Sequence, residues 1–162
     1  MIKYAKKDNF YSIFPMGEIP NDWEELTKEE YDKHFEKTLD ELKSEKLSEL
    51  TSITSKFDNQ LVNTDMIIKS SLGFKVNADL RSQFNIRRLI SIGTEPVSFI
   101  IADNTTVDLS LAQLNILINE CEENMQHLFD LKQSYKKQIA DATTKEELDT
   151  IEIKFEMLDF RD

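Results

Sequence analysis

Cysteine is almost absent: Cys121 is the only one in 162 residues. One thiol excludes an internal disulfide and a cysteine-rich zinc site. Glycine and proline are scarce, three of each, so few tight turns can form and long helices are the natural consequence. Histidine occurs twice, at His34 and His127, and neither has a second histidine three or four positions away to make a metal-binding helix face. No run approaches the ~20 apolar residues that a membrane span needs, so no membrane partner is expected. The opening MIKYAKKDNFYSIFP has no apolar signal core, and the chain is expected in the cytoplasm of the cell that makes it.

What the sequence has is charge and helix-forming residues. Apolar residues make up 40% and charged residues 31%, a mixture that suits a folded chain with much exposed helix. The net charge is -11. Residues 18–58 carry thirteen acids against six bases, and residues 96–162 fourteen against six. Between them Lys69, Lys75, Arg81, Arg87 and Arg88 form a small basic island. Direct nucleic-acid binding is disfavoured, because phosphate contacts need a dominant basic surface. The island faces either the chain's own acidic helices or an acidic partner.

Residues 1–26 read as an aromatic N-terminal arm, irregular or short-stranded, since Pro15, Gly17 and Pro20 break any helix. Phe10, Tyr11, Phe14 and Trp23 must lie on something. They pack on this chain or dock a neighbouring protein, and they are the candidate partner-binding residues. A domain over residues 27–162 follows. Thr27 and Glu30 fit a capping box that starts a helix over 27–61, with Tyr31, Phe35, Leu39, Leu42, Leu47, Leu50, Ile53, Phe57 and Leu61 on one stripe. Residues 63–93 predict a β-hairpin, with Gly73 in its turn, and a short helix capped by Asp79 and ended by Gly93. Residues 97–109 predict a second hairpin, with Asp103 and Asn104 at the tip; together the strands make a small antiparallel sheet.

Ser110 and Gln113 cap a second long helix over 111–142. Leu114, Ile118, Cys121, Met125, Leu128, Lys132, Tyr135, Ile139 and Ala142 alternate steps of four and three, a heptad seam. The seam either packs antiparallel on the first long helix or joins copies of the chain as a homo-oligomer. Leu114, Ile118, Cys121, Met125, Leu128, Tyr135 and Ile139 are therefore the candidate oligomer residues. Thr144 and Glu147 cap a last helix over 145–158. The fold class is α+β, mostly helical: two long antiparallel helices, a small antiparallel β-sheet and a C-terminal helix.

Catalytic chemistry is not legible. Cys121 sits on the seam beside Glu120, Glu122 and Glu123, which suppress a thiolate. Neighbouring acids such as Glu122 and Glu123 point about 100° apart on a helix and do not converge. There is no Gly-rich phosphate loop and no nucleophile elbow. Asp65 stands alone, with no alternating calcium ligands. No enzyme activity, cofactor or metal is expected. The candidate polar surface is Arg81, Arg87, Arg88, Asp103 and Asn104, with turn and capping chemistry as its simpler explanation.

The segments GFKVNADLRSQFNIRRLI, FIIADNTTVDLSLAQLNILI and LKQSYKKQIADATTKEELDTI resemble a domain of unknown function encoded beside tail-fibre genes in phages and prophages. In that family an Asp-bearing short helix precedes a hairpin with an Ala-Asp-Asn tip, then a long helix and a closing turn. Here those pieces are Asp79 with Asn85, then Ala102, Asp103 and Asn104, then residues 111–140 and 142–148. The resemblance spans residues 40–153. Residues 19–33 are similar to a tail-fibre-associated phrase in which Trp precedes E-x-T-x-x-E-Y. The resemblance implies a non-enzymatic tail protein or tail-fibre assembly factor whose partner is a tail or tail-fibre protein, located in the host cytoplasm during assembly or in the virion tail. A different class also fits the charge: an acidic phage-encoded inhibitor that binds a basic host protein as a nucleic-acid mimic.

Overall fold

The computed structural model describes residues 2–15, 18–58 and 66–161. The fold is α+β, with five helices and small antiparallel sheets among the described residues. The chain divides into two compact units, residues 1–41 and 42–162.

In the first unit, β1 (Lys3–Lys7) and β2 (Phe10–Phe14) form a hairpin that turns through Asp8 at φ 53. Strand β3 (Glu24–Leu26) pairs with the other edge of β1, giving the order β2-β1-β3. Lysines on β1 face acids on and just before β3: Lys3–Glu25 at 3.2 Å, Lys6–Glu24 at 3.0 Å, and Lys7–Asp22. Helix α1 (Lys28–Phe35) starts at the capping box expected for Thr27 and Glu30. Its Tyr31 ring lies 5.1 Å from Tyr4. The N-terminal segment is thus a three-stranded sheet with its own helix, and the boundary falls after residue 41 instead of 26. Cross-strand charge pairs and aromatic contacts with α1, neither visible in a linear scan, make it a unit.

The single helix expected over 27–61 is two. After α1, Glu36 adopts an extended conformation at ψ 126. Helix α2 (Leu39–Asp58) then begins with a second reciprocal cap: the Thr38 N–H donates to the Glu41 carboxylate at 2.8 Å, and the Glu41 N–H to Thr38 Oγ1 at 3.2 Å. The expected extension to Leu61, and the expected start of the first hairpin at residue 63, lie outside the described residues.

In the second unit, β4 (Ile67–Lys69) and β5 (Lys75–Asn77) make the first hairpin, with Gly73 at φ 90 in the turn. Helix α3 (Leu80–Ile92) is capped by Asp79, which accepts from the Ser82 N–H at 2.8 Å, and ends at Gly93 in the left-handed region. Strands β6 (Val97–Ile100) and β7 (Thr106–Leu109) form the second hairpin. The hairpins are separate two-stranded sheets, not the one sheet expected. Among the described residues one backbone bond joins them, from the Ala102 N–H to the Lys75 carbonyl at 3.0 Å.

Helix α4 (Leu111–Asp141) starts at the expected Ser110–Gln113 box. Its N-terminal half buries Leu114, Leu117, Ile118 and Cys121 in a core shared with Ile68, Val76, Ile86 and Phe99. Its C-terminal half runs antiparallel to α2: Lys43 donates to the Ala140 carbonyl at 2.8 Å, while Thr54 and Phe57 line a cleft with Met125 and Leu128. The heptad seam is therefore shared between two partners within one chain. Its candidate oligomer residues Leu114, Ile118, Cys121, Leu128 and Ile139 are buried, and Met125 and Tyr135 half-buried. A second copy cannot reach the buried ones while this unit is folded.

The last helix is short. Helix α5 (Lys145–Asp149) has the expected Thr144 cap, and the predicted continuation to 158 is absent. Beyond it the chain is extended, and α4 side chains satisfy its backbone. The Leu158 N–H donates to Asn124 Oδ1 at 2.9 Å, and the Tyr135 hydroxyl accepts from the Lys154 N–H at 3.1 Å while donating to its carbonyl at 3.0 Å. The segment then lies parallel to β4 through a Lys69–Asp159 bridge, with the Phe160 N–H on the Lys69 carbonyl at 2.7 Å.

Two outcomes follow. Asn124→Ala removes the partner of a part-buried amide and should lower unfolding free energy by about 1–3 kcal/mol, with hydrogen exchange rising first at Leu158. Unchanged stability and exchange would disprove the pinning role. Asp159 is held below the usual aspartate range by donation from Arg161 and then Lys69. A lowered folded pKa stabilises fully above the unfolded value near ~4 and is lost as pH falls through the folded one. Acid should therefore raise exchange at the Phe160 amide, and Asp159→Asn should raise it already at neutral pH.

Candidate functional site

Tyr11, Phe14 and Trp23, expected as docking residues, are occupied within their own unit. Tyr11 stacks on His34 at 3.5 Å between ring centres, and Phe14 meets Trp23 edge-on at 5.6 Å. Phe10 alone of the four is largely exposed, at 71%. Three of the four therefore make ring contacts within the unit while each keeps part of its surface in solvent.

The basic island divides. Lys69 pairs with Asp159 at 2.9 Å, and Arg87 pairs with Glu122 of α4. Arg81 and Arg88 form no ion pair among the described residues and stand exposed on α3. Asp103 and Asn104 are turn residues, as their simpler explanation has it. Asp103 Oδ1 accepts from the Thr105 N–H at 2.9 Å and its hydroxyl at 2.7 Å, which holds its carboxyl below the usual range. Asn104 takes φ 68. The five polar candidates thus do not converge on one site; Arg81 and Arg88 remain available for a ligand.

Helix α3 carries two stripes. Gln83 and Ile86 are buried, with Gln83 Nε2 donating to the Ala78 carbonyl at 2.8 Å. The opposite stripe carries Arg81, Phe84, Arg88 and Ile92. Phe84 is 66% exposed and Ile92 59%, and across from Ile92 the Ile100 side chain of β6 is 63% exposed. A groove of about 400 Å³ runs between the two elements. Asn85, Arg88 and Ile92 form its helical wall, Ser98 and Ile100 its strand wall, with Leu89 and Phe99 the more buried lining. Solvent-facing apolar residues beside unpaired cations mark an interaction surface more than a structural one. The linear pattern of α3 gives no sign of which stripe, Phe84's or Ile86's, faces water. The signal was Arg88, which breaks the outer stripe.

Two α4 residues were missed entirely. Glu120 is buried, and its Oε1 accepts from the Ser71 N–H at 3.0 Å and from the Ser71 hydroxyl. Its Oε2 is buried without a hydrogen-bond partner among the described residues. Asn124, one turn on, is fully buried. Both flank the seam, at positions a heptad scheme assigns to the wet face. No group of three or more His, Cys, Asp or Glu able to hold a metal ion occurs among the described residues. No helix there is long and apolar enough to cross a membrane.

Cys121 is fully buried, and burial, then Glu120, Asp79 and Glu122, push its thiol up to about 12. A disulfide reagent at pH ~8, near the pKa of a free thiol, should react only on the timescale of unfolding. Reaction at the free-thiol rate in the native protein would contradict this burial.

No curated protein and no solved structure matches the chain. A family model covers most of the second unit, in close agreement with the span over which the sequence resembles a domain of unknown function. The chain belongs to the family described as Domain of unknown function (DUF4376), whose model matches residues 41–152.

Proposed function

We propose that the chain is a non-enzymatic phage or prophage tail protein, or a tail-fibre assembly factor, that works through protein–protein contacts. The observation that carries the contact role is the α3–β6 face, where Phe84, Ile92 and Ile100 lie exposed beside Arg81 and Arg88, which have no ion pair among the described residues. Monomeric surfaces rarely gather large apolar side chains without a partner for them. The tail setting is supported by the likeness of residues 19–33 and 40–153 to sequences encoded beside tail-fibre genes.

The competing reading, an acidic inhibitor of a basic host protein, has the net charge of -11 in its favour. Against it, several acids that a mimic would present are already paired with lysines of the chain, among them Asp22, Glu24, Glu25 and Asp32. Salt separates the two: a mimic's binding falls steeply with ionic strength, and apolar docking does not.

Mass spectrometry of purified particles, set against the lysate, is the test. Stoichiometric presence in the tail supports a structural role. Absence from particles, with the chain bound to a tail or tail-fibre protein in lysate, supports an assembly factor. Absence from both, or a salt-sensitive complex with a basic host protein, overturns the proposal.

A further inference from the structure

We propose that the groove between α3 and β6 takes an extended, acidic segment of a partner protein, which adds as a strand to the open edge of β6 and sets a carboxylate against Arg88. This rests on the contact role proposed above and adds the mode and chemistry of recognition.

The backbone supplies the first part. Among the described residues strand β6 pairs only with β7. The Ile101 N–H donates to the Thr105 carbonyl at 3.0 Å. Antiparallel ladders alternate, so Val97 and Phe99 direct their main-chain groups toward β7, and Ser98 and Ile100 direct theirs out of the other edge. Ser98 and Ile100 are the β6 residues opposite Arg88 and Ile92 across the groove, which no β7 residue lines. Just beyond, Ala102 donates to Lys75 of β5, so the edge closes there, and alongside β6 no described strand covers it. An unpaired edge flanked by a helix is the geometry in which an extended peptide gains main-chain hydrogen bonds, with pockets for alternate side chains.

Charge supplies the second part. In a chain of net charge -11, Arg81 and Arg88 stand on one face of α3 without a pair among the described residues. The fitting segment has apolar residues for Ile92, Ile100 and Phe84, and Asp or Glu at intervening positions. A second copy is a poor occupant. Edge-to-edge pairing of β6 about a two-fold axis brings each Arg88 near its mate, and like charges facing across an interface repel.

The test is selection of a random linear peptide library against the full chain. The expected winners alternate apolar residues with Asp or Glu. Arg88→Glu should weaken a winner by about tenfold, and Lys for Glu in the peptide should restore binding to that variant. Because Arg88 is exposed, the variant should keep the native circular dichroism. Adding Ile100→Lys should give a similar loss, and bound peptide should protect the Ser98 and Ile100 amides from hydrogen exchange. No enrichment, winners without acids, affinity unmoved by Arg88→Glu, or a doubled mass with β6 joined to β6 each overturn the proposal. A tail protein that binds Arg88→Glu as well as the native chain removes the groove and leaves the tail role standing. Acidic peptides that bind through Arg88, with no tail protein bound, do the reverse.

Discussion

Burial of α4 is the constraint on which the second unit depends. Its N-terminal half fills the core beneath α3 and both hairpins, and its C-terminal half covers α2. An apolar stripe alone would leave the neighbours free to slide along it. Glu120, Asn124 and Tyr135 prevent this by accepting backbone N–H groups of the β4–β5 turn and of the extended C-terminal segment. A part-buried amide stripped of its partner costs on the order of 1–3 kcal/mol, so these bonds set register as well as energy. The order of segments against β4, with the last residues on one side and β5 on the other, follows from where α4 offers its acceptors.

Local rules with a fixed geometry were legible. The caps at Thr27, Asp79, Ser110 and Thr144 and the left-handed Gly93 stand where the residues place them, because each depends on neighbours a few positions away. Thr38 and Glu41 obey the same rule as Thr27 and Glu30, and the apolar period that runs past them concealed a second helix start. The C-terminal segment gives the opposite lesson. Ile151, Phe155 and Leu158 fit a helical step, but Ile151, Ile153, Phe155 and Met157 alternate with charged residues, the period of a strand. Three apolar positions satisfied both periods. What decided between them was Asn124, Tyr135 and the free edge of β4, all distant in sequence.

The candidate surface was half legible for a related reason. Charge counting found the basic island, and only folding shows that Arg87 and Lys69 are paired while Arg81 and Arg88 have no such partner among the described residues. Aromatic content found the N-terminal segment, and only a sheet with a helix on it shows Tyr11, Phe14 and Trp23 occupied by one another and by α1. Pattern reveals which residues are apolar or charged. Which of them has been used up is a property of pairs.

The open edge of β6 also bears on solubility. Exposed strand edges invite pairing with like edges, and proteins suppress this with lysines, bulges or covering loops. Here the strand presents Ser98 and Ile100 at that edge, and the nearest guard is a positive charge on another element. Keeping molecules apart then falls to long-range repulsion among chains of charge -11. That repulsion weakens with salt and vanishes where acid brings the net charge to zero, while the edge itself is indifferent to both. Colloidal stability in this protein is therefore an electrostatic property of the whole molecule guarding a short stretch of backbone.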